Sequence, residues 1–167
     1  MPASVVTRTT ATMTADGLTH EEMEQMMRDY FDACNRGDVE AIASFFTEDG
    51  VHYFPPGMYG GPFVGGETIG ERWAAAVADL GSIWTVDRVL TDPDSAQAVM
   101  EWTHFKTADG TVLRGDEWYE FDPETGLIEE IRAYYAAPQS DALDRHELGG
   151  FDYEERGYPV DPPFSRE

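Results

Sequence analysis

Apolar residues recur at helical spacing in the first part of the chain. Between Thr19 and Gly37 they fall on one face of a helix. They are Met23, Met26, Met27, Tyr30, Phe31 and Cys34. Thr19 and Glu22 have the spacing of a capping box, and Gly37 is the residue type that commonly ends a helix. The pattern therefore predicts a first helix over this segment.

Two further helices are predicted downstream. Asp38 is a candidate N-cap for the second, which is expected to end near Gly50. Its inward side chains would be Val39, Ile42, Phe45 and Phe46. The third helix is expected to begin at Thr68, where Glu71 completes another capping box, and to end before Gly81. Its buried side chains would be Ile69, Trp73, Val77 and Leu80.

The segment between the second and third helices is rich in turn-forming residues. Residues 51–54 predict only a brief strand or a sheet edge, because two prolines close it. Residues 55–66 hold five glycines and three prolines. That composition indicates a rim loop or lid beside a ligand site.

From residue 82 onward the apolar period changes to two, which is typical of strands. Strands are predicted over residues 82–90 and 96–107. Two more are predicted within residues 110–135, where residues 122–126 connect them. The chain therefore combines helices in its first half with a sheet in its second.

The register of the central hairpin decides which side chains meet. If residues 109–110 form a two-residue turn, Trp102 lies opposite Glu117 and His104 lies opposite Gly115. Trp102, His104 and Glu117 then share one face of the sheet. The sequence thus predicts an aromatic ring, an imidazole and a carboxyl group side by side.

Glu117 is the single charged residue on its face of the predicted strand. Its uncharged neighbours on that face are Leu113, Gly115, Tyr119 and Phe121. The opposite face carries three charged residues, so we expect the face of Glu117 to be buried. Because desolvation raises the pKa of a buried carboxyl group, Glu117 is the leading candidate for proton chemistry.

The composition fits one folded domain and argues against some classes of binding partner. With 167 residues, 41% of them hydrophobic, the chain is long enough to bury a core. The formal charge of −22 opposes nucleic acid and anionic membranes as partners, since phosphate contacts need clustered Lys and Arg. We expect a disordered leader over residues 1–17, a domain over 18–137, and an extension over 138–167 that packs on the domain or on a partner subunit.

No targeting, metal or nucleotide signature is evident in the sequence. Cys34 is the single cysteine, and no apolar run has the length of a signal-peptide core or a membrane span, so we expect a cytoplasmic protein. The four histidines lack the spacing of metal ligands. The glycine pairs at 60–61 and 65–66 lie in a proline-rich loop. We therefore expect no cofactor.

Three phrases of the chain carry a family resemblance. They are residues 30–38 (YFDACNRGD), 47–51 (TEDGV) and 121–128 (FDPETGLI). Together they resemble the NTF2-like superfamily, in particular its branch of SnoaL-like polyketide cyclases and ketosteroid isomerases. The resemblance covers about residues 19–137. It implies a cone-shaped α+β fold in which three N-terminal helices pack on a curved, mostly antiparallel sheet, and it implies the homodimer usual for this family.

The resemblance also implies roles for particular residues. Tyr30 falls where ketosteroid isomerases have the tyrosine of their oxyanion hole. Glu117 falls where they have a protonated Asp and where many SnoaL-like members have a catalytic Asp. Phe54 occupies the position of the isomerases' general base, so we expect His52 or His104 to replace that base.

The resulting hypothesis is a cofactor-independent lyase or isomerase that moves a proton on a carbonyl-bearing apolar molecule. The superfamily also contains cyclases, dehydratases, epoxide hydrolases and non-catalytic binders. Tyr30 would donate to the carbonyl oxygen, Glu117 would act as the acid, and a histidine would remove the carbon-bound proton. The candidates for the pocket lining are Phe54, Met58, Trp73, Trp84, Trp102, Tyr119 and Tyr135.

A non-catalytic binding or assembly protein is the competing hypothesis. In that case Glu117 would pair with Arg114 or Arg132 instead of facing a ligand. Trp118 and Tyr134 lie among charges on the outer sheet face and fit a homodimer under either hypothesis.

Overall fold

A computed structural model describes residues 18–55, 59–136, 144–147 and 152–166. These ranges contain three helices and seven strands. In chain order they are α1 (His20–Arg36), α2 (Val39–Ala43), β1 (Phe46–Tyr53), β2 (Phe63–Val64), α3 (Gly66–Leu80), β3 (Ser82–Asp92), β4 (Gln97–Lys106), β5 (Thr111–Phe121), β6 (Ile128–Tyr135) and β7 (Arg145–His146). Over the same ranges, no helix is long and apolar enough to cross a membrane.

All the strands belong to one curved sheet. Its order is β2-β1-β6-β5-β4-β3, and β7 pairs with β5. The β1–β6 and β5–β7 pairs are parallel and the others are antiparallel. The helices pack on one side, here called the inner face, where they enclose the main core. The expected α+β class is confirmed, but β1 and β2 separate α3 from the first two helices.

Helix α1 forms as its sequence pattern predicts. The Thr19 hydroxyl accepts from the Glu22 backbone N–H, and the Glu22 carboxylate accepts from the Thr19 N–H, which completes the capping box. Gly37 ends the helix with a φ of 62°, a conformation that glycine adopts at little cost. The apolar stripe buries Met23, Met27 and Tyr30 against the sheet.

The prediction of a long second helix and a brief first strand is wrong. Asp38 does cap α2, accepting from the Ala41 N–H at 3.1 Å, but the helix ends after five residues. The chain then enters β1 at Phe46, because β6 offers pairing partners from Ile128 onward. β1 lies between β2 and β6 instead of at a sheet edge. Tertiary pairing therefore overrides the local helical pattern.

Helix α3 begins at Gly66, two residues before the predicted start, and has no side-chain cap. The reason lies in its contact with α2. A Cβ at Gly66 would lie 2.6 Å from the Ala43 carbonyl oxygen, and one at Gly70 would lie 2.8 Å from the Val39 oxygen. The two glycines let the helix backbones approach closely, so packing sets the start of α3.

The β4–β5 register is two residues away from the predicted one. Lys106 pairs with Thr111, so four residues connect the strands instead of two. The resulting pairs are Met100 with Glu117, Trp102 with Gly115 and His104 with Leu113. A shift of two residues leaves the strand faces unchanged, since side chains alternate with period two. Trp102, His104 and Glu117 therefore do share the inner face.

The C-terminal segment packs on the first part of β5, around Arg114. β7 pairs with Val112 and Leu113. The buried Arg114 guanidinium donates to Glu147 at 3.0 Å, to Thr103 at 2.7 Å and to the Pro159 carbonyl at 2.9 Å. These hydrogen bonds attach the C-terminal segment to the sheet.

Candidate active site

A narrow cavity lies between the helices and the inner face of the sheet, and we call it the central cavity. Its lining residues are Tyr30, Phe31, Cys34, His52, Trp73, Trp84, Trp102, Glu117 and Tyr135. Measured with a water-sized sphere, its volume is about 10 Å³, close to the minimum for one water molecule. Aromatic side chains fill most of the space around the polar groups.

The central cavity brings His52 and Glu117 together. Nε2 of His52 lies 3.3 Å from Oε1 of Glu117, and both side chains are almost fully buried. The contact arises because β1, which carries His52, and β5, which carries Glu117, both pair with β6. His52 lies beside Ile131 and Glu117 lies opposite Ala133. Because Ala133 has only a methyl group, we infer that the carboxyl and imidazole groups meet over it.

Tyr119 fixes the second oxygen of Glu117. Its hydroxyl donates to Glu117 Oε2 at 2.6 Å, and its ring is fully buried. Burial, followed by the charge of Glu117, raises the pKa of Tyr119 well above its usual value, so the phenol keeps its proton and remains a donor. Tyr119 is thus a positioning residue for Glu117 and lies outside the cavity lining.

The alternative arginine partners of Glu117 are engaged elsewhere. Arg114 binds Glu147 on the outer face. Arg132 binds Glu120 at 2.7 Å and also contacts Glu130. Glu117 therefore faces a histidine and a tyrosine instead of an arginine.

The His52 ring is held by aromatic contacts. Phe54 stacks on it with ring centroids 4.2 Å apart, and Trp73 meets it edge-on at 5.5 Å. Neither ring nitrogen of His52 makes a hydrogen bond within the described part of the chain, although Nε2 lies within ion-pair distance of Glu117. Phe54, at the position of the isomerases' base, thus supports a neighbouring imidazole. Of the two nitrogens, Nε2 is the one that lies beside Glu117.

Tyr30 also lies on the central cavity. Its hydroxyl oxygen accepts from Trp73 Nε1 at 2.9 Å, and the Cys34 thiol lies nearby in the cavity wall. Burial raises the pKa of Tyr30 well above its usual value, and the nearby charge of Glu117 acts in the same direction. Tyr30 is therefore a protonated donor, and the bond from Trp73 polarises its O–H group further.

The structure does not bring His104 to the central cavity. Its Nε2 bonds to Ser82 Oγ at 2.8 Å, and its ring stacks on Trp84 with centroids 4.5 Å apart. Burial lowers the pKa of His104 to about 3, so the ring is neutral at ordinary pH. Although His104 shares the inner face, Trp84 lies between it and the cavity.

Two aromatic residues close one end of the central cavity. Trp102 and Tyr135 meet edge to face with ring centroids 5.0 Å apart. The hydroxyls of Tyr135 and Tyr59 lie close enough for each to influence the pKa of the other. The sequence analysis missed Tyr59, whose positive φ of 53° belongs to the glycine-rich loop. The candidate lining residue Met58 lies outside the described residues.

The inspected ranges contain no group of three or more His, Cys, Asp and Glu side chains that could hold a metal ion. Burial raises the pKa of the Cys34 thiol well above its usual value. Cys34 is thus a protonated side chain in the cavity wall, where it contacts Tyr30.

Solved structures with a similar fold cover most of this chain. A protein of unknown function with a cystatin-like fold, from Methylobium petroleophilum PM1, is 49% identical; the match covers 90% of this chain and 99% of that one, with a TM-score of 0.72. An NTF2-like protein of unknown function from Mesorhizobium loti is 21% identical over 70% of this chain and 93% of that one, with a TM-score of 0.58.

A third similar structure belongs to an enzyme. SalBIII, an epoxide hydrolase/cyclase-like enzyme in pyran ring formation of the polyether salinomycin, is 18% identical; the match covers 69% of this chain and 91% of SalBIII, with a TM-score of 0.57. At this identity the likeness shows the fold alone. The comparison with curated proteins gives no match.

These structures define the fold as NTF2-like. A SnoaL-like domain model matches residues 27–131, which is more than half of the sequence. The chain belongs to the SnoaL-like domain family. The family expected from the sequence is thereby confirmed.

Proposed function

We propose that the protein is a cofactor-independent lyase or isomerase that moves a proton on a small, apolar, carbonyl-bearing molecule. The observation that carries the proposal is the buried pair of His52 and Glu117, whose Nε2 and Oε1 atoms are 3.3 Å apart at the wall of the central cavity. Buried ionisable groups are costly unless they are paired, and they are frequent at sites of proton transfer.

In the proposed first step His52 acts as the general base. In the tautomer that this step requires, the ring proton is on Nε2, the nitrogen nearer to Glu117, and the lone pair on Nδ1 accepts the substrate proton. A C–H bond next to the ligand carbonyl breaks, its proton goes to Nδ1, and its electron pair moves to the carbonyl oxygen as an enolate. In place of the acid role expected from the sequence, Glu117 is proposed here to stabilise the imidazolium that forms, and Tyr119 keeps its carboxyl group in place.

Tyr30 is the proposed donor to the enolate oxygen. Its raised pKa keeps the phenol protonated, and Trp73 donates to its oxygen at 2.9 Å. A fixed donor aimed at developing negative charge stabilises the transition state more than the ground state. Return of the proton from His52 to another carbon gives isomerisation. Its delivery to a departing β-hydroxyl gives water and an alkene.

Hydrogen exchange tests the proposal without knowledge of the final product. The protein is incubated in D₂O with a panel of aromatic and polycyclic ketones, and deuterium next to the carbonyl is measured by mass spectrometry. We expect His52→Gln to lower the exchange rate by at least about 100-fold, and Tyr30→Phe to lower it by about 10- to 100-fold.

His104→Gln is the matched control, because it removes a buried histidine that does not line the central cavity. Thermal melts establish that each variant is folded. Equal exchange by the wild type and by His52→Gln would refute the role of His52. An effect of His104→Gln as large as that of His52→Gln would attribute the loss to the fold.

A small-molecule binder without turnover is the second candidate function, because neither ring nitrogen of His52 makes, within the described residues, a hydrogen bond that would orient it as a base. A volume of about 10 Å³ admits no ketone unless aromatic side chains move. Ligand binding measured by calorimetry, with no exchange of any bound ketone in D₂O, would support this alternative. Saturable binding with exchange that depends on His52 would support the enzyme.

A homodimer is part of the same proposal. Trp118 is 43% exposed and Tyr134 is 54% exposed on the outer face of β5 and β6. Large exposed aromatic side chains on a sheet are typical of interfaces. Sedimentation velocity should show a dimer at micromolar concentration, and Trp118→Glu should shift it toward monomer. A monomeric wild type would contradict this part.

A further inference from the structure

Buried side-chain polar atoms without a hydrogen-bond partner gather at one place in the fold. Within the described ranges they are Nδ1 and Nε2 of His52 and Nε1 of Trp102. Both residues line the central cavity. A buried polar atom that lacks a protein partner usually finds one in a ligand or in water. His52 has a role in the proposed function, whereas the indole N–H of Trp102 has none.

The sheet places the indole of Trp102 on the side of the central cavity. Trp102 pairs with Gly115 on β5, and Glu117 follows two residues later on the same strand face. A Cβ at Gly115 would lie 2.6 Å from Trp102 Cζ2 and 3.0 Å from Cη2, so the indole lies against the glycine. Trp102 is 3% exposed, and the Tyr135 ring meets it from the next strand. The donor is therefore fixed at the wall of the central cavity.

The chemistry of an indole N–H limits what can bind to it. The group donates one hydrogen bond and accepts none, so its partner must carry a lone pair. The described residues that line the cavity include no Lys or Arg, so nothing in that wall would neutralise a bound carboxylate. A neutral oxygen of the ligand, in an ether, a hydroxyl or a carbonyl group, therefore fits this donor best.

We propose that Trp102 is a specificity-determining residue that donates to a second oxygen of the substrate, on the carbon β to the carbonyl. The inference rests on the proposed function, in which Tyr30 binds the carbonyl oxygen and His52 takes the proton of the α-carbon. Because the three side chains surround a space of about 10 Å³, the ligand atoms that they contact must be close neighbours. The substrate class narrows to β-oxygenated carbonyl compounds with an apolar body.

A donor at the β-oxygen favours elimination over isomerisation. After Nδ1 of His52 takes the α-proton, the enolate electron pair forms the α,β double bond, and the bond from the β-carbon to its oxygen breaks with its electron pair on the oxygen. The Trp102 N–H donates to this oxygen as negative charge develops, which stabilises the transition state. The imidazolium then returns its proton to the departing oxygen. The products are an α,β-unsaturated carbonyl compound and water or an alcohol.

The test compares two uncharged ketones of nearly equal shape, 4-chromanone and 1-tetralone. They share the fused rings and the α-carbon, but chromanone has an ether oxygen on the β-carbon where tetralone has a CH₂ group. Because a CH₂ group would leave the donor unpaired, we expect the full chain to bind chromanone at least about fivefold more tightly in calorimetry. In protein labelled with ¹⁵N-tryptophan, chromanone should move the indole proton signal of Trp102 downfield.

Two changes at position 102 isolate the N–H group. Trp102→Phe removes the indole and assigns its NMR signal, and 3-benzothienylalanine at the same position keeps the ring shape but has sulfur in place of N–H. Each should reduce the preference for chromanone to less than about twofold. Trp84→Phe is the matched control, because it removes another indole from the same cavity wall. It should change both affinities alike and keep the preference. Thermal melts establish that each variant is folded.

Three outcomes would overturn the role of Trp102: equal binding of the two ketones by the wild type, binding of neither, or a preference that survives both changes at position 102. The proposed function fails separately. If the preference depends on Trp102 but deuterium exchange does not depend on His52, the donor stands and the catalytic role of His52 falls. If exchange depends on His52 while the two ketones bind equally, the reverse holds.

Discussion

The buried neutral His104 should make this protein sensitive to acid in a defined pH window. An unfolded histidine has a pKa near ~6.5, whereas burial lowers the pKa of His104 to about 3. At pH values above the pKa of the unfolded state, His104 is neutral in both the folded and the unfolded protein. As the pH falls from there toward the folded value, the unfolded chain binds a proton that the folded chain excludes, so stability falls.

The size of this effect follows from the two pKa values. Each pH unit between them costs about 1.4 kcal/mol of unfolding free energy, so the whole interval costs on the order of 5 kcal/mol. Between pH 6.5 and 4.5 the loss is about 2 kcal/mol. That is a large part of the 5–15 kcal/mol that stabilises a typical domain.

His104→Gln tests this reasoning because glutamine keeps a polar group near Ser82 without titrating. At pH 8 the variant should be less stable than the wild type by about 1–2 kcal/mol, since it loses the stacking on Trp84. At pH 4.5 the difference should vanish or reverse. Urea unfolding followed by circular dichroism at both pH values, at one protein concentration, gives the comparison.

Ser82→Ala is the control for general destabilisation. It removes the hydrogen-bond partner of His104 at 2.8 Å but keeps the imidazole ring. This variant should therefore be less stable at both pH values and keep the acid sensitivity of the wild type. If the difference between His104→Gln and the wild type is the same at pH 8 and 4.5, His104 does not titrate as described and the argument is refuted.

Three further predictions concern stability and the site. Tyr119→Phe removes the 2.6 Å hydrogen bond to Glu117 and should lower the unfolding free energy by about 1.5–3 kcal/mol; urea unfolding measures it, and an unchanged midpoint would contradict the bond. Thr19→Ala breaks the capping box and should cost about 1 kcal/mol; Thr19→Ser should restore most of it in thermal melts. Gly66→Ala places a Cβ 2.6 Å from the Ala43 carbonyl oxygen and should cost about 1–3 kcal/mol; calorimetry showing a stabilised protein would rule out this close approach.

The helices and the long strands could be predicted where local signals agree with packing. The capping box at Thr19 and the glycine at 37 mark α1 correctly. The apolar run ending in Phe45 and Phe46 misled the prediction, because its last residue belongs to a strand that β6 pairs. No local sequence pattern identifies β6 as the strand that pairs with β1. The same limit applies to Gly66, whose role is a backbone contact with α2.

For some site residues the sequence predicted a position on the cavity, and for others it predicted only the face of the strand. Tyr30 and Glu117 were expected on the cavity and lie there. His52 and His104 could not be separated, since both lie on inward strand positions, and only the structure shows Trp84 between His104 and the cavity. The alternation of side chains along a strand shows which face of the sheet a residue occupies, but not how far it lies from the cavity on that face.

The position of Ala133 on β6 has a consequence for the comparison of related sequences. His52 and Glu117 belong to strands that do not pair with each other, and we infer that the short side chain of Ala133, on the strand between them, lets their side chains meet. A relative that keeps both ionisable residues but carries leucine or phenylalanine at the position of Ala133 would lack the contact. An alignment that scores only the histidine and the glutamate would therefore group relatives with and without this contact together, and the residue at the position of Ala133 would separate them.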